Sequence, residues 1–146
     1  MAVVSAFLIP GSPLPYVQPD NPPWEAMAAA LKKAGRALAA SKPDTIAIYS
    51  TQWIAVLDQL WQMRPNPVGL HVDENWHEYG DLPFDMLTDI ELTEAAIAAT
   101  DDYGIRSKGV DYDQFPVDTG TIVGSNFLDP KRNFQSVVTA NNLYHD

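Results

Sequence analysis

The sequence predicts an α/β fold with a mostly parallel or mixed β-sheet and helices on both faces. Three features support this class: an apolar run at residues 2–10, a helical apolar pattern over residues 24–38, and a β-branched run at residues 45–51. A strand, a helix and a second strand in this order are typical of a right-handed βαβ unit with parallel strands. No repeat or break in composition divides the chain, so we expect a single α/β domain over residues 1–146.

The first two elements follow from local pattern. Residues 2–10 are apolar and end at Pro10-Gly11, which breaks regular structure, so we interpret them as a buried strand. A helix is predicted to begin between Asn21 and Trp24, because Asn21 can cap it and prolines are tolerated in a first helical turn. Its apolar residues recur every three or four positions and share one face: Trp24, Met27, Ala28, Leu31, Ala34 and Leu38.

The remaining elements are read from shorter patterns. Residues 45–51 predict a second buried strand. Further along, the pattern favours strands at residues 68–73, 105–112 and 134–140 and a helix at residues 87–99.

The βαβ interpretation has a consequence for where a site could form. In open parallel sheets, ligands bind in the crevice beyond the carboxyl ends of the strands. Here those ends are residues 10–12 and 50–53, so the topology predicts that Gly11 and Gln52 lie close together.

Composition and charge exclude several classes of function. The formal net charge is −10 and the nine basic residues are scattered, so no basic stripe is present for nucleic acid or for an anionic membrane surface. No apolar run approaches the length of a membrane span. The chain has no cysteine, which removes disulfides and thiolate chemistry and is compatible with a reducing cytoplasm, the location we expect.

Residues 71–80 form the richest polar stretch. They contain two histidines and three carboxylates, and His71, Asp73, His77 and Glu78 could ligate a cation. However, His71 and His77 are six positions apart with no repeating face to bring them together, so a solvated loop or a subunit contact is favoured over a metal site. Residues 118–121 are interpreted as a polar turn, and the tryptophans as core or interface residues.

Several segments together resemble one family. In order along the chain these are residues 7–13, 42–44, 49–53, 117–121 and 136–143. Their order and spacing resemble the N-terminal half of a class III extradiol ring-cleavage dioxygenase subunit, and residues 3–15, 49–58, 72–76 and 79–82 are similar to its α-type subunits. The resemblance implies that fold, and a piece of a longer subunit is one interpretation of the chain.

The resemblance also implies what the chain lacks. Catalytic members hold Fe(II) with two histidines and a glutamate, a facial triad with open positions. The positions matching the two histidines are Gly11 and Gln52, and Thr119 stands where members carry histidine or tyrosine near the substrate. The glutamate ligand belongs to the family's second half. The resemblance therefore implies no metal in this chain and Fe(II) in a β-type partner.

Three hypotheses follow. The leading one is a non-catalytic α-type subunit of a 2-aminophenol- or catechol-type extradiol dioxygenase, which supports an Fe(II)-bearing β-type subunit or self-associates. The second is a module that binds a small aromatic ligand in the vestigial crevice lined by Gly11, Gln52, Trp53 and Thr119. The third is an enzyme with a relocated metal site at residues 71–78.

Overall fold

The computed structural model describes residues 2–144 and places them in an α/β arrangement around a mixed sheet. The four strands of the sheet lie in the order β1, β6, β2, β5, and they comprise β1 (Thr45–Ala55), β2 (Gln59–Gln62), β5 (Ser107–Val110) and β6 (Gln135–Asn142). β1 is parallel to β6 and β2 is parallel to β5, whereas β2 meets β6 in the antiparallel sense. The predicted α/β class with a mixed sheet is confirmed.

Four helices and a hairpin complete the described residues. The helices are α1 (Leu14–Val17), α2 (Pro22–Ser41), α3 (Ile90–Asp102) and α4 (Thr119–Leu128). The hairpin pairs β3 (Val68–His71) with β4 (Leu82–Asp85), and a single 3-10 turn at His77–Tyr79 lies between its strands. Of the helices in residues 2–144, none has the length and hydropathy needed to cross a bilayer.

The predicted strand at residues 2–10 is wrong. These residues adopt no regular structure, and Val3 and Leu8 are almost completely exposed. Among the described residues, none of their backbone groups pairs with another strand, and β6 takes the place beside β1 that the βαβ interpretation gave to this segment. An apolar run indicates that a segment favours burial, but it does not specify the strand that would pair with it.

Helix α2 confirms the prediction made from its periodicity. It begins at Pro22, within the predicted interval, and buries Ala28, Leu31 and Leu38. Asn21 occupies the N-cap position, but its side chain donates to Gln18 at 3.1 Å rather than capping the helix. The buried face of α2 packs against Val123 and Phe127 of α4, so α2 holds α4 in place beside the sheet.

The main core lies between α4, the hairpin and the sheet. Its buried members are Leu82, Phe84, Met86, Val117, Ile122 and Val138. Val137 and Val138 are both buried, and because neighbouring residues in a strand point to opposite faces, β6 is covered on both sides. This packing fixes the beginning of α4 close to the second half of β1.

The remaining predicted elements are present with shifted ends. The strands predicted at residues 68–73, 105–112 and 134–140 correspond to β3, β5 and β6, and the helix predicted at residues 87–99 corresponds to α3. Strands β2 and β4 were not predicted. Residues 118–121, interpreted as a turn, instead begin helix α4, because Asp118 caps it.

Candidate functional site

Gly11 and Gln52 meet beside the second half of β1, in proximity as the sequence predicted. The Gln52 Nε2 group donates a hydrogen bond to the carbonyl oxygen of Gly11 at 3.3 Å. On its other side the Gln52 amide lies against the beginning of α4, where a Cβ added to Gly120 would lie 3.0 Å from Gln52 Oε1. The two positions that match the family's histidine ligands are therefore neighbours, even though residues 2–10 do not form the predicted strand.

These two residues do not fit an iron centre. Gly11 has no side chain to ligate, and a Cβ added there would lie 2.7 Å from Gln52 Nε2 and 2.9 Å from its Cδ. The neutral amide of Gln52 thus fills the space beside Gly11, and an amide is a weak ligand for Fe(II) compared with imidazole. In residues 2–144 no three His, Cys, Asp or Glu side chains come together in a group that could hold a metal ion.

Thr119 lies at the centre of a second polar arrangement. It is the first residue of α4 and is buried, and its hydroxyl donates to the Asp73 carboxylate. The same hydroxyl oxygen lies 3.0 Å from His71 Nε2. Because the one hydroxyl proton goes to Asp73, His71 Nε2 must carry the proton of this second bond, which defines the histidine tautomer. The three side chains form a chain from His71 through Thr119 to Asp73.

Asp73 is held in its ionised form by this arrangement. Partial burial by itself would raise the pKa of Asp73, but hydrogen bonds from the Thr119 hydroxyl and the Asn75 N–H outweigh it. The nearby His71 ring and the Trp76 N–H act in the same direction, and the pKa of Asp73 lies below its ordinary value. A carboxylate stabilised this way serves as an acceptor, not as a proton donor near neutral pH.

Two of the sequence-predicted metal candidates lie away from this chain of bonds. His77 and Glu78 belong to the exposed 3-10 turn. The His77 Nδ1 group lies 3.2 Å from the carbonyl oxygen of Glu74, to which it donates. The structure thus brings together His71, Asp73 and Thr119, a combination that sequence spacing did not predict.

Asp118 joins the middle of β1 to the beginning of α4. Its carboxylate accepts from the Thr121 N–H at 3.0 Å, from the Thr121 hydroxyl at 2.7 Å and from the Ser50 hydroxyl at 2.6 Å. The sequence contains the signal for this role, since an aspartate directly before Thr-Gly-Thr-Ile-Val is a recognisable N-cap. Asp118 and Ser50 were missed because residues 118–121 were interpreted as a turn.

Trp53 is turned toward the protein. Its ring is half-buried against the main core and lies 5.3 Å from the ring of Phe115, centroid to centroid. Because neighbouring residues in a strand point to opposite sides, Trp53 points away from the side of β1 on which Gln52 lies. The residues predicted to line one crevice therefore divide into the Gly11–Gln52 contact, the Thr119 chain beside it, and Trp53 packed against Phe115.

Comparison with known proteins identifies the class of protein that the chain resembles. No family model matches the chain. Two curated relatives are dioxygenase subunits, and the chain spans about half of their length, 54% of one and 49% of the other.

The particular relatives agree with the sequence resemblance, which is confirmed. The chain is 50% identical over 147 aligned positions, covering all of it, to the 2-aminophenol 1,6-dioxygenase alpha subunit of Pseudomonas sp. It is also 25% identical over 150 positions, covering 96% of it, to the 2-aminophenol 1,6-dioxygenase beta subunit of Pseudomonas sp. Similarity to both subunits indicates that they share an ancestry with this chain, and the alpha subunit is the more similar of the two.

Proposed function

We propose that this chain acts as a non-catalytic α-type subunit of an extradiol ring-cleavage dioxygenase of the 2-aminophenol or catechol type. The observation that supports it most is the 50% identity to an alpha subunit along the whole chain. The contact between Gly11 and Gln52 agrees with it, because those positions provide no imidazole for iron.

The chemistry then belongs to the partner. Opening an aromatic ring with O₂ on Fe(II) needs a facial set of ligands that leaves positions free for substrate and oxygen. In this proposal a β-type subunit supplies those ligands and holds the Fe(II), and this chain stabilises that subunit. A cytoplasmic location is part of the same proposal, since the chain has no cysteine.

The hairpin offers a surface for such a partner. Val68 and Leu70 of β3 and Val72, which follows its end, alternate along the chain, and their exposed fractions are 54%, 66% and 54%. Alternate residues of a strand share a face, so the three side chains form one apolar strip. Apolar strips of this kind usually mark interfaces. We name it the β3 strip and assign it to the contact with the β-type subunit.

The test is complex formation with the relative's beta subunit, followed by size-exclusion chromatography and calorimetry. We expect a stable complex, and we expect Leu70→Lys to weaken it at least about tenfold, because a lysine would be desolvated in an apolar contact. Tyr103→Lys is the matched control: Tyr103 is 84% exposed at the end of α3, away from the strip. Absence of a complex, or a homodimer in its place, would refute the β-type partner.

A second candidate function is binding of a small aromatic ligand beside β1 by Gly11, Gln52 and Thr119, without Trp53, which packs against Phe115. It is favoured by the exposed Gln52 amide, which uses one N–H for Gly11 and keeps the other N–H for a hydroxyl or amino group. Titration with 2-aminophenol, followed by tryptophan fluorescence, is expected to saturate in the wild type and to weaken in Gln52→Leu. A flat titration would remove this candidate.

A further inference from the structure

A groove of about 260 Å³ lies between β3 and the loop at residues 113–117. Apolar residues of β3, β4 and the loop form part of its walls, and Arg64, His71, Asp113 and Gln114 are its long polar members. The groove is separate from the Gly11–Gln52 contact, and His71 is the residue that borders both this groove and the Thr119 chain.

Arg64 is a buried cation without an anionic partner. Its exposed fraction is 8%, and among residues 2–144 no carboxylate lies within 4.0 Å of its guanidinium. Its Nη1 group donates to the carbonyl oxygen of Phe115 at 3.0 Å, which fixes the guanidinium against the loop that forms the opposite wall. A buried charge is normally paired, because removing it from water without a partner is costly.

The remaining donors of Arg64 are unused within the described residues, and Arg64 lines the groove. Its Nε and Nη2 groups donate to no acceptor in residues 2–144. Solvent reaches both atoms. Among the described residues, Nε of Arg132 is the side-chain nitrogen that is fully buried without a hydrogen-bond partner, and neither Arg64 atom is in that state. Nε and Nη2 of a guanidinium point in parallel and match the two oxygens of a carboxylate.

The walls select what accompanies the carboxylate. Phe115 and Pro116 line the groove and offer apolar surface to a small flat ligand, whereas Phe84 and Val117 are largely buried behind them. Asp113 also lines the groove and would oppose an anion, but it is exposed, so solvent screens its charge, whereas Arg64 is buried. The volume is slightly below the usual range for ligand sites, which favours a single ring over a larger molecule.

We propose that this groove binds a small aromatic carboxylate, whose carboxylate accepts hydrogen bonds from Nε and Nη2 of Arg64 and whose ring packs against Phe115 and Pro116. The site does not use the Gly11–Gln52 contact, but Val68 and Leu70 line it and also belong to the β3 strip, so its binding is tested on the chain without a β-type partner. It assigns a ligand-binding role to residues that the resemblance leaves without one.

The experiment is a calorimetric titration of the purified chain with benzoate, with benzamide as the neutral compound of the same shape. Benzoate is expected to bind with one site per chain and at least about tenfold more tightly than benzamide. Benzamide lacks the negative charge of benzoate and has one acceptor oxygen in place of two, so it cannot form the bidentate pair with Arg64. In parallel, the ¹H–¹⁵N correlation of the assigned Arg64 Nε group should shift on addition of benzoate, and that of Arg106 should not.

Two variants separate the site from general charge effects. Arg64→Met keeps most of the buried volume and removes the charge, and it should lower benzoate affinity at least about tenfold while leaving benzamide unchanged. Arg36→Met removes the same charge from the exposed face of α2 and should change neither affinity. If Arg64→Met fails to fold, the comparison of benzoate with benzamide on the wild type still decides.

Equal affinities for benzoate and benzamide, or an unmoved Arg64 resonance at saturating benzoate, would overturn the proposal. Inorganic phosphate binding as tightly as benzoate would overturn the assignment to an aromatic carboxylate, because it would show that the apolar walls contribute nothing.

Discussion

Replacing Asp118 by alanine removes the group that joins β1 to α4. The wild-type carboxylate accepts three hydrogen bonds, two from Thr121 and one from Ser50. Thr121 is completely buried and Ser50 is 5% exposed, so their hydroxyls gain little from water when the acceptor is lost. The variant therefore loses a helix cap and leaves two buried hydroxyls without their acceptor.

The expected loss in the free energy of unfolding follows from these three contacts. Loss of an aspartate N-cap costs about 1 kcal/mol. Each buried hydroxyl left without its acceptor adds about 1 kcal/mol at the low end of the measured range. We expect Asp118→Ala to lower the free energy of unfolding by about 3 kcal/mol, which is a large fraction of the stability of an ordinary domain.

The assay is equilibrium unfolding in urea, followed by circular dichroism. Asp118→Asn is the matched control, since asparagine is an equally good N-cap but offers one acceptor oxygen where aspartate has two. It should cost about 1 kcal/mol. A double-mutant cycle with Ser50→Ala should give a coupling of about 1 kcal/mol. If Asp118→Ala unfolds within about 0.5 kcal/mol of the wild type, the network does not hold α4 as described.

Three further predictions test other parts of the structure. Gly35→Ala would place a Cβ against the backbone oxygen of Phe127, so thermal melts should show destabilisation by about 1–2 kcal/mol. Alanine has the higher helix propensity, and a gain in stability from that propensity would contradict the close α2–α4 contact. Because the pKa of Asp73 is lowered in the folded state, ionised Asp73 stabilises the fold above pH 3.8, and this stabilisation is lost as the pH falls through the pKa of the folded state. Titration of the Asp73 carboxyl by ¹³C NMR should give a midpoint below 3.8, and a higher midpoint would contradict the hydrogen bonding. Gly11→Ala should cost less than about 1 kcal/mol in urea unfolding, because the exposed Gln52 amide can swing away, and a larger loss would show that the amide is fixed.

Much of the fold was predictable where pattern and burial agree. Helix α2 has a continuous apolar face, and its beginning was predicted from Asn21 and the prolines that follow. Strand β1 and the Val-Val-Thr-Ala part of β6 consist largely of β-branched and apolar residues, and the two strands pair in parallel at one side of the sheet. The meeting of Gly11 with Gln52 was predicted from topology, and it holds because residues 10–12 still reach the second half of β1.

The missed elements depend on contacts that are distant in sequence. Strand β2 contains two glutamines and has no strand-like composition, but Gln59 donates to the carbonyl oxygen of Ala140 at 2.5 Å and the strand pairs with β5. Helix α4 contains glycines and β-branched residues, which favour helices weakly, and it is stabilised by its Asp118 cap and by packing on α2. The chain from His71 through Thr119 to Asp73 needed both α4 and the hairpin to be placed, which no local pattern provides.

The most direct test of the central proposal is to locate the iron and the activity. This chain and the relative's beta subunit would be purified separately under anaerobic conditions with Fe(II), assayed for cleavage of 2-aminophenol alone and together, and analysed for metal by mass spectrometry. The proposal predicts that this chain alone contains no stoichiometric iron and opens no ring, and that the beta subunit contains the iron and gains activity or stability when this chain is added. About one iron per chain in this protein, or ring cleavage by it alone, would contradict the assignment and would direct attention to residues 71–78.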